Sequence, residues 1–435
     1  MSARKEITVV FITKIMVLAA HLGVQSMLAW MLGPEGRGSY AVCMLLGTVL
    51  GVVFAVGTDR AAQYYAISGK LSLSQAVWVT LVITLLGSGI GVILGAALIQ
   101  TPIGFFKKAT PETFYISLSL IPLLVLVVTL QLQLSGMRKF AQVGIVLVCR
   151  NLFCGLLIAL LVGSLGFGVK GALLAQAISA LLTIALFLLV LRTSCGLTFV
   201  PLKWEHFHLI LKYGLRYYPA RIGHIIDQRV GVIVLALFAT RKEIGFFTAA
   251  SALVLRLGIF SQSIEAPLSP RIASDPGGRI KLVGQCIRLL FLFASLMAIV
   301  LVLVSYPLVK IVLSSAFLPS VPLIWVLAPA LVFHGTSKIL LSYFRATNRP
   351  GLCSFAIWTG MIANSLALIF LYPRIGLPSA AWAMLIGFTG RTLALLVSYQ
   401  LITGKQVADL LRFRQDDFLI IKKAFSQFFN YVCIR

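Results

Sequence analysis

Leu215 to Thr240 reads LRYYPARIGHIIDQRVGVIVLALFAT, a run long enough to cross a bilayer that nevertheless carries charge inside it. About 20 apolar residues span the hydrocarbon core, and each Arg, Lys or Asp near the centre of such a helix costs roughly 2.5 to 3.5 kcal/mol on insertion scales. Arg221, Asp227 and Arg229 all fall within this one segment. At about 100° per residue, Arg221, His224, Gln228 and Arg229 share one broad side, with Asp227 at its edge. That side is expected to face protein or water.

The rest of the chain agrees with a membrane reading. Of 435 residues, 60% are hydrophobic and 11% charged, and the mean hydropathy is +1.01, values of an all-α integral membrane protein. Lys and Arg number 37 against 12 Asp and Glu. In a soluble chain this excess would point to nucleic acid. Here the basic residues separate apolar runs and form no patch interleaved with aromatics, so no nucleic acid is expected. Cys43, Cys149, Cys154, Cys195, Cys286, Cys353 and Cys433 show no C-x-x-C spacing, which argues against a zinc site or a disulfide framework. They read as packing residues, and no cofactor or metal is implied. The first apolar run, Ile7 to Leu32, is too long for a signal-peptide core and is taken as the first span.

Apolar windows bounded by Gly, Pro and charge predict twelve spans, at 7–32, 40–58, 75–100, 114–135, 143–164, 169–191, 215–239, 245–267, 287–312, 321–343, 352–372 and 379–403. With a cytoplasmic N-terminus, 22 Lys and Arg lie in cytoplasmic segments and 8 in outer loops (Arg37, Lys107, Lys108, Lys170, Arg241, Lys242, Lys310, Arg374). This distribution places both termini in the cytoplasm, although Lys107 and Lys108 run against the rule.

The turns repeat. Gly33-Pro34-Glu35-Gly36-Arg37-Gly38-Ser39-Tyr40 resembles Arg241-Lys242-Glu243-Ile244-Gly245-Phe246-Phe247, with Gly38 and Gly245 separated by 207. Gly168-Val169-Lys170-Gly171-Ala172 resembles Gly376-Leu377-Pro378-Ser379-Ala380 at 208, Arg60 matches Arg271 at 211, and Lys139 matches Arg349 at 210. A shared offset near 208 predicts two six-span halves of like orientation. We therefore expect an N-terminal bundle at 1–196, a C-terminal bundle at 207–403, related by a pseudo-twofold axis, and a basic tail at 404–435. In the tail, Phe418, Ile421, Phe425 and Phe428 recur at helical spacing among Arg412, Arg414, Lys422 and Lys423, as in an amphipathic helix on the cytoplasmic leaflet; a disordered basic tail is the alternative.

The same offset relates the polar residues within spans. Lys14, His21 and Gln25 share a stripe of the first span, and adding 207 takes Lys14 to Arg221 and His21 to Gln228. Gln131 likewise maps onto Lys338. The basic residues within spans are Lys14, Arg150, Arg221, Arg229, Arg256, Lys338 and Arg391, against two acids, Asp227 and Glu265. Arg150, Arg221 and Lys338 lie near cytoplasmic ends, where snorkelling is the simple alternative. Arg229, Arg256 and Arg391 lie near mid-span and point instead to a water-filled cavity. Asp227 is open to two roles, a structural partner of Arg221 or Arg229, or an ion-coupling site. His21 and His224 are either satisfied interior residues or proton relays. A cationic cavity selects a ligand with negative charge, since Arg recognises phosphate and carboxylate through charge-assisted, often bidentate hydrogen bonds. A diphosphate fits, with Lys14, Arg221, Arg229, Arg256, Lys338 and Arg391 as its candidate ligands.

Paired six-span halves, the L-G-P-E-G-x-G-x-Y turn at Leu32 to Tyr40, its echo Glu243-x-Gly245-x-Phe247, and L-S-G-M-R-K at Leu134 to Lys139 resemble the polysaccharide flippases of the O-antigen type. These belong with the multidrug-and-toxin-extrusion transporters and the lipid II flippase in one superfamily. The resemblance implies a V-shaped MATE-like pair of bundles, alternating access, and export of an undecaprenyl-diphosphate-linked oligosaccharide across a bacterial inner membrane, with a polymerase and glycosyltransferases as functional partners. Asp227 is similar to an Asp common in the seventh span of that family. In the second-half turn, Thr240-Arg241-Lys242 replaces Gly-Pro, which departs from the pattern.

Two other functions compete. A cation-coupled multidrug antiporter of the same superfamily requires carboxylates in its cavity, and the first span has only Glu6 at its mouth. A membrane-embedded glycosyltransferase or polymerase requires a carboxylate or metal site and a sizeable extramembrane loop; neither is evident, nor is a Walker A motif. The expectation is a transporter, not an enzyme.

Overall fold

The structure is a computed structural model and describes residues 3–258, 272, 278–347, 349–404 and 410, with side chains for all of these except 3–11, 217, 220 and 224. Among the described residues it is helical throughout, with no strand. The helices are α1 (Ala3–Ala55), α2 (Thr58–Ile67), α3 (Leu73–Ile99), α4 (Pro111–Gly136), α5 (Phe140–Ile158), α6 (Gly168–Cys195), α7 (Trp204–Phe238), α8 (Arg241–Leu257), α9 (Arg279–Val312), α10 (Val321–Leu327), α11 (Ala330–Ala346), α12 (Pro350–Ile375) and α13 (Pro378–Thr403). Short 3-10 turns occupy Gly104–Lys108 and Ser315–Ser320, and a π turn, Ala159–Ser164, extends α5.

Among the described residues, eight helices are long and apolar enough to cross a membrane, and a ninth span results if the bent pair Ser315–Leu327 and Ala330–Ala346, which turns by 51°, is taken together. α1 contains two of the predicted spans. Gly33, at φ 63°, breaks it in two, a conformation in which a side chain would clash with its own backbone, and Pro34 starts the second piece where a missing N–H costs nothing. The expected loop between the first two spans is therefore absent. Arg37, expected in an outer loop, lies in a helix and is only 4% exposed. α7 has 35 residues, ample for a crossing, but its charges keep it outside the apolar set. The described part of α8 has 17 residues, and the remainder of the predicted eighth span lies outside the described residues.

The ends of the helices follow from local chemistry. Ser72 and Gln75 cap α3 reciprocally, Gln75 N–H donating to Ser72 Oγ and Ser72 N–H to Gln75 Oε1. Pro111, Pro350 and Pro378 open α4, α12 and α13. Contacts divide the chain into two compact units, Met1–Ala249 with Pro307–Ser320, and Ala250–Tyr306 with Val321–Arg435. These units follow packing and cut the chain elsewhere than the 207-residue repeat does. In the first, Val77, Leu126, Leu130, Leu134, Val146 and Phe187 join α3 to α6 in one core, and Ala61, Ala62, Val79 and Ile210 join α2 and α3 to α7. In the second, Ile287, Leu290, Ile339, Phe344, Leu395 and Tyr399 are packed together. Between lipid-facing helices hydrophobicity supplies no net drive, so small residues and close backbone approach must hold the bundle. The α12–α13 pair does this: a Cβ on Gly360 would lie 2.8 Å from Gly387 O, and one on Gly387 2.9 Å from Gly360 O.

Candidate functional site

The site is built on the first half of α7. Pro219 lies inside this helix and cannot donate to the turn before it. Just upstream, Gly214 lets the backbone meet the corner where α1 ends: a Cβ there would stand 2.7 Å from Val56 O. That corner is strained, with Val56 at φ 50° and Gly57 at φ 68°. Tyr218 donates its hydroxyl to Val53 O at 2.6 Å. Tyr213 stacks on Tyr64 of α2 with ring centroids 4.9 Å apart and meets Tyr65 edge-on. Ile210, Gly214, Tyr218 and Arg221 recur at helical spacing, so one stripe of α7 faces the α1–α2 corner.

At the end of that stripe, Arg221 Nη2 donates to Asp59 Oδ2 at 3.0 Å. The side chain of Arg221 is 17% exposed and that of Asp59 3%. Asp59 Oδ1 is buried and has no hydrogen-bond partner among the described residues. The other N–H groups of Arg221 make no hydrogen bond among the described residues either. The guanidinium is thus held at one prong, and part of its side chain is exposed. Asp59 was not among the residues singled out from sequence. It lies between spans, 162 positions from Arg221, and no local pattern links two residues so far apart. Asp227, weighed as a partner of Arg221, is half-buried.

Arg229 is exposed on α7, and Lys14 is exposed on α1, where His21 and Gln25 are half-buried. His224 lies in α7 with its side chain outside the described residues, and Glu265 lies outside them altogether, as does the tail from 411 onward. Arg37 Nη1 donates to Gln25 O at 2.8 Å and Nη2 to Gln25 Oε1 at 3.1 Å. This ties the two pieces of α1 together across the Gly33 break, and the guanidinium lies over the Phe317 ring.

In the second unit, Arg256 and Lys338 are half-buried. Arg391 is 4% exposed, its Nη2 lies 2.9 Å from His334 Nδ1, and its guanidinium sits over Phe388 at 4.9 Å. A mid-span arginine was expected to face a water-filled cavity; in this structure its described contacts are a histidine and an aromatic face. His334 was also missed, and the available signal is its i, i+4 spacing to Lys338 on one helix. Arg221 and Asp59 are brought together, while Lys14 and Arg229 stand on separate helices of the same unit.

The other end of the first unit carries the repeat. A Cβ on Gly38 would run into the Arg241 carbonyl oxygen, and one on Gly245 into that of Pro34. Adding 207 turns Pro34 into Arg241 and Gly38 into Gly245, so the two contacts exchange. Trp30 Nε1 donates to Ile311 O at 3.4 Å; its repeat mate is Leu237, whose carbonyl oxygen lies 3.2 Å from a Cβ built on Gly104, and Gly104 is Ile311 less 207. These paired contacts form a local pseudo-twofold about Gly38 and Gly245. Thr240 and Glu243 cap α8 beside it.

A family model described as polysaccharide biosynthesis protein matches residues 27–322. The chain belongs to that family. Among solved structures, this family member shares its fold with the lipid II flippase MurJ in an inward closed conformation, at a TM-score of 0.75 and 16% identity, over 98% of this chain and 100% of that one. An inward-facing multidrug resistance MATE family transporter of the MOP superfamily has a TM-score of 0.64 and 16% identity, over 93% and 96%. The eukaryotic MATE transporter AtDTX14 has a TM-score of 0.61 and 14% identity, over 93% and 98%. At such identities the likeness is one of fold, and it meets the expectation of a MATE-like, multi-pass membrane protein. No curated protein matches the chain by sequence.

Proposed function

We propose that this polysaccharide-family protein is a flippase that moves a polyprenyl-diphosphate-linked oligosaccharide across the bacterial inner membrane by alternating access of its two six-span halves, 1–196 and 207–403. The observation that carries the reading is the polysaccharide-family match over 27–322 in a chain with a flippase fold. The chemistry supports it: seven basic residues within spans exceed the acids that could neutralise them, and Arg221, partly exposed, has N–H groups that make no bond among the described residues. A diphosphate supplies the missing charge. With both termini cytoplasmic, the Gly38–Gly245 end is the outer one, and the α1–α2 corner with Arg221 lies towards the cytoplasm, where the lipid-linked sugar is made. O-antigen-type repeat units are the proposed cargo, and glycosyltransferases and a polymerase its suppliers and consumer.

The likeness to MATE transporters favours a second reading, a multidrug antiporter. It requires carboxylates to attract cations, whereas Arg221 holds Asp59 and the remaining charge balance is positive.

The test is surface polysaccharide in cells whose own flippase gene is deleted. Arg229→Ala and Arg256→Ala should abolish it with the protein still in the membrane, and Lys405→Ala should leave it intact; full export by both arginine variants would overturn the reading. A cysteine at Lys14 or Arg221 should react with an impermeant thiol reagent from the cytoplasmic side of inverted vesicles, and full protection of both would place these positions in lipid or in closed packing.

A further inference from the structure

We infer that Asp59 is the positioning residue that presents Arg221 to the anionic head group of the substrate. The inference rests on the flippase reading and adds to it a part that the sequence conceals. A guanidinium on a half-buried helix can be used in two ways. As a brace between helices it would spend its fork on a carboxylate, two parallel N–H groups on two oxygens, the arrangement that gives Arg–carboxylate pairs their geometry. Here the pair has one bond, Nη2 to Oδ2, with Oδ1 bare and the remaining donors unbonded among the described residues.

The exposures divide the labour. Asp59 is closed off at 3% and cannot reach a ligand, whereas Arg221 keeps 17% of its side chain open. Asp59 is itself fixed: it sits in the first turn of α2, after the left-handed Gly57, where the helix dipole favours a carboxylate. Gly214 on Val56 O, Tyr218 on Val53 O and Tyr213 on Tyr64 fix α7 against the same corner. An anchored acid, holding one prong of an arginine that keeps part of its side chain exposed, leaves the remaining donors pre-set for the two oxygens of a phosphate, so the ordering cost is met before the ligand arrives.

Calorimetric titration of the full-length chain in detergent with farnesyl diphosphate, with farnesol and inorganic pyrophosphate as companion probes, tests this. Arg221→Ala should weaken farnesyl diphosphate binding about tenfold, and Asp59→Ala should weaken it nearly as much. Because Asp59 acts through Arg221, the double variant should bind no more weakly than Arg221→Ala alone. Asp59→Asn, which keeps an acceptor oxygen at the same place, should stay within about threefold of the parent. The exchange Asp59→Arg with Arg221→Asp should restore disulfide cross-linking between cysteines at Tyr64 and Tyr213, and so the α2–α7 contact, without restoring binding. Unchanged affinity in Asp59→Ala, additive losses in the double variant, or binding regained by the exchange would each reduce the pair to a brace and overturn the inference while leaving the flippase reading intact. If Asp59→Ala does not fold, Asp59→Asn and the exchange decide. Failure of the parent protein to bind farnesyl diphosphate or pyrophosphate would instead remove the diphosphate reading, and the inference with it. Binding of pyrophosphate with the same dependence on Arg221 assigns recognition to the phosphates, and loss of that dependence assigns it to the lipid and overturns the role of the arginine.

Discussion

The second piece of α1 begins at Pro34 and ends at Ala55, and a segment of the second repeat docks at each end by a different physics. At Pro34 and Gly38 the start of α8 meets it backbone to backbone, glycine facing carbonyl on both sides. At Val56 the contact with α7 combines a glycine with tyrosines and one ion pair, so it depends on side chains. Backbone apposition is specified by what is absent, a Cβ, and tolerates almost no change. A side-chain contact can be loosened one group at a time.

The comparison breaks most sharply at the glycines. Gly38→Val or Gly245→Val places a branched side chain on a main-chain oxygen that no rotamer can move, and should cost about 3 kcal/mol or more, read as loss of folded protein by size exclusion and a lowered Tm. At the charged corner, Asp59→Ala strands the half-buried Arg221 and should cost about 2 kcal/mol, allowing for its partial exposure; adding Arg221→Met should recover most of this in a double-mutant cycle of thermal stabilities. Tyr218→Phe removes only the bond to Val53 O and should cost about 1 kcal/mol.

The smallest expected effect returns to the glycine end. Ser39 donates to Lys108 O there, and burial, with the nearby Arg241 guanidinium, lowers the Lys108 ammonium below its ordinary value, Glu243 opposing. A lysine whose pKa is lowered on folding penalises the folded state while it is protonated in both states. Stability therefore rises as pH climbs from the lowered value towards the ordinary lysine value near 10.5. For a half-buried surface group, with the shift discounted for solvent screening, this amounts to about 0.5 kcal/mol or less. Lys108→Gln should remove that slope from thermal melts run as pH is raised towards the ordinary lysine value of 10.5.

What could be read in advance follows the same division. The spans, the repeat and the Gly38–Gly245 correspondence were legible because they rest on hydropathy and on glycines at fixed offsets, both local signals. Arg37 was misplaced because Gly-Pro-Glu-Gly looks like a loop; only the φ of Gly33 shows that the chain breaks and immediately resumes a helix. Asp59 was invisible because its meaning depends on Arg221 a hundred and more residues away. Arg391 shows a further limit: counting charges by depth in a span does not foretell its contacts with His334 and Phe388.

The exchange of contacts about Gly38 and Gly245 has a consequence for how the two repeats can change. Were they separate identical chains, one patch would face itself, and any substitution would strike both sides of the contact at once. Joined in one polypeptide, each side answers for itself. The first keeps Gly33-Pro34, the second carries Thr240-Arg241, and only the two glycines and the carbonyls they admit are held in common. Within one polypeptide the two sides of this contact are thus independent and carry different neighbours, Arg37 on one side and Glu243 on the other.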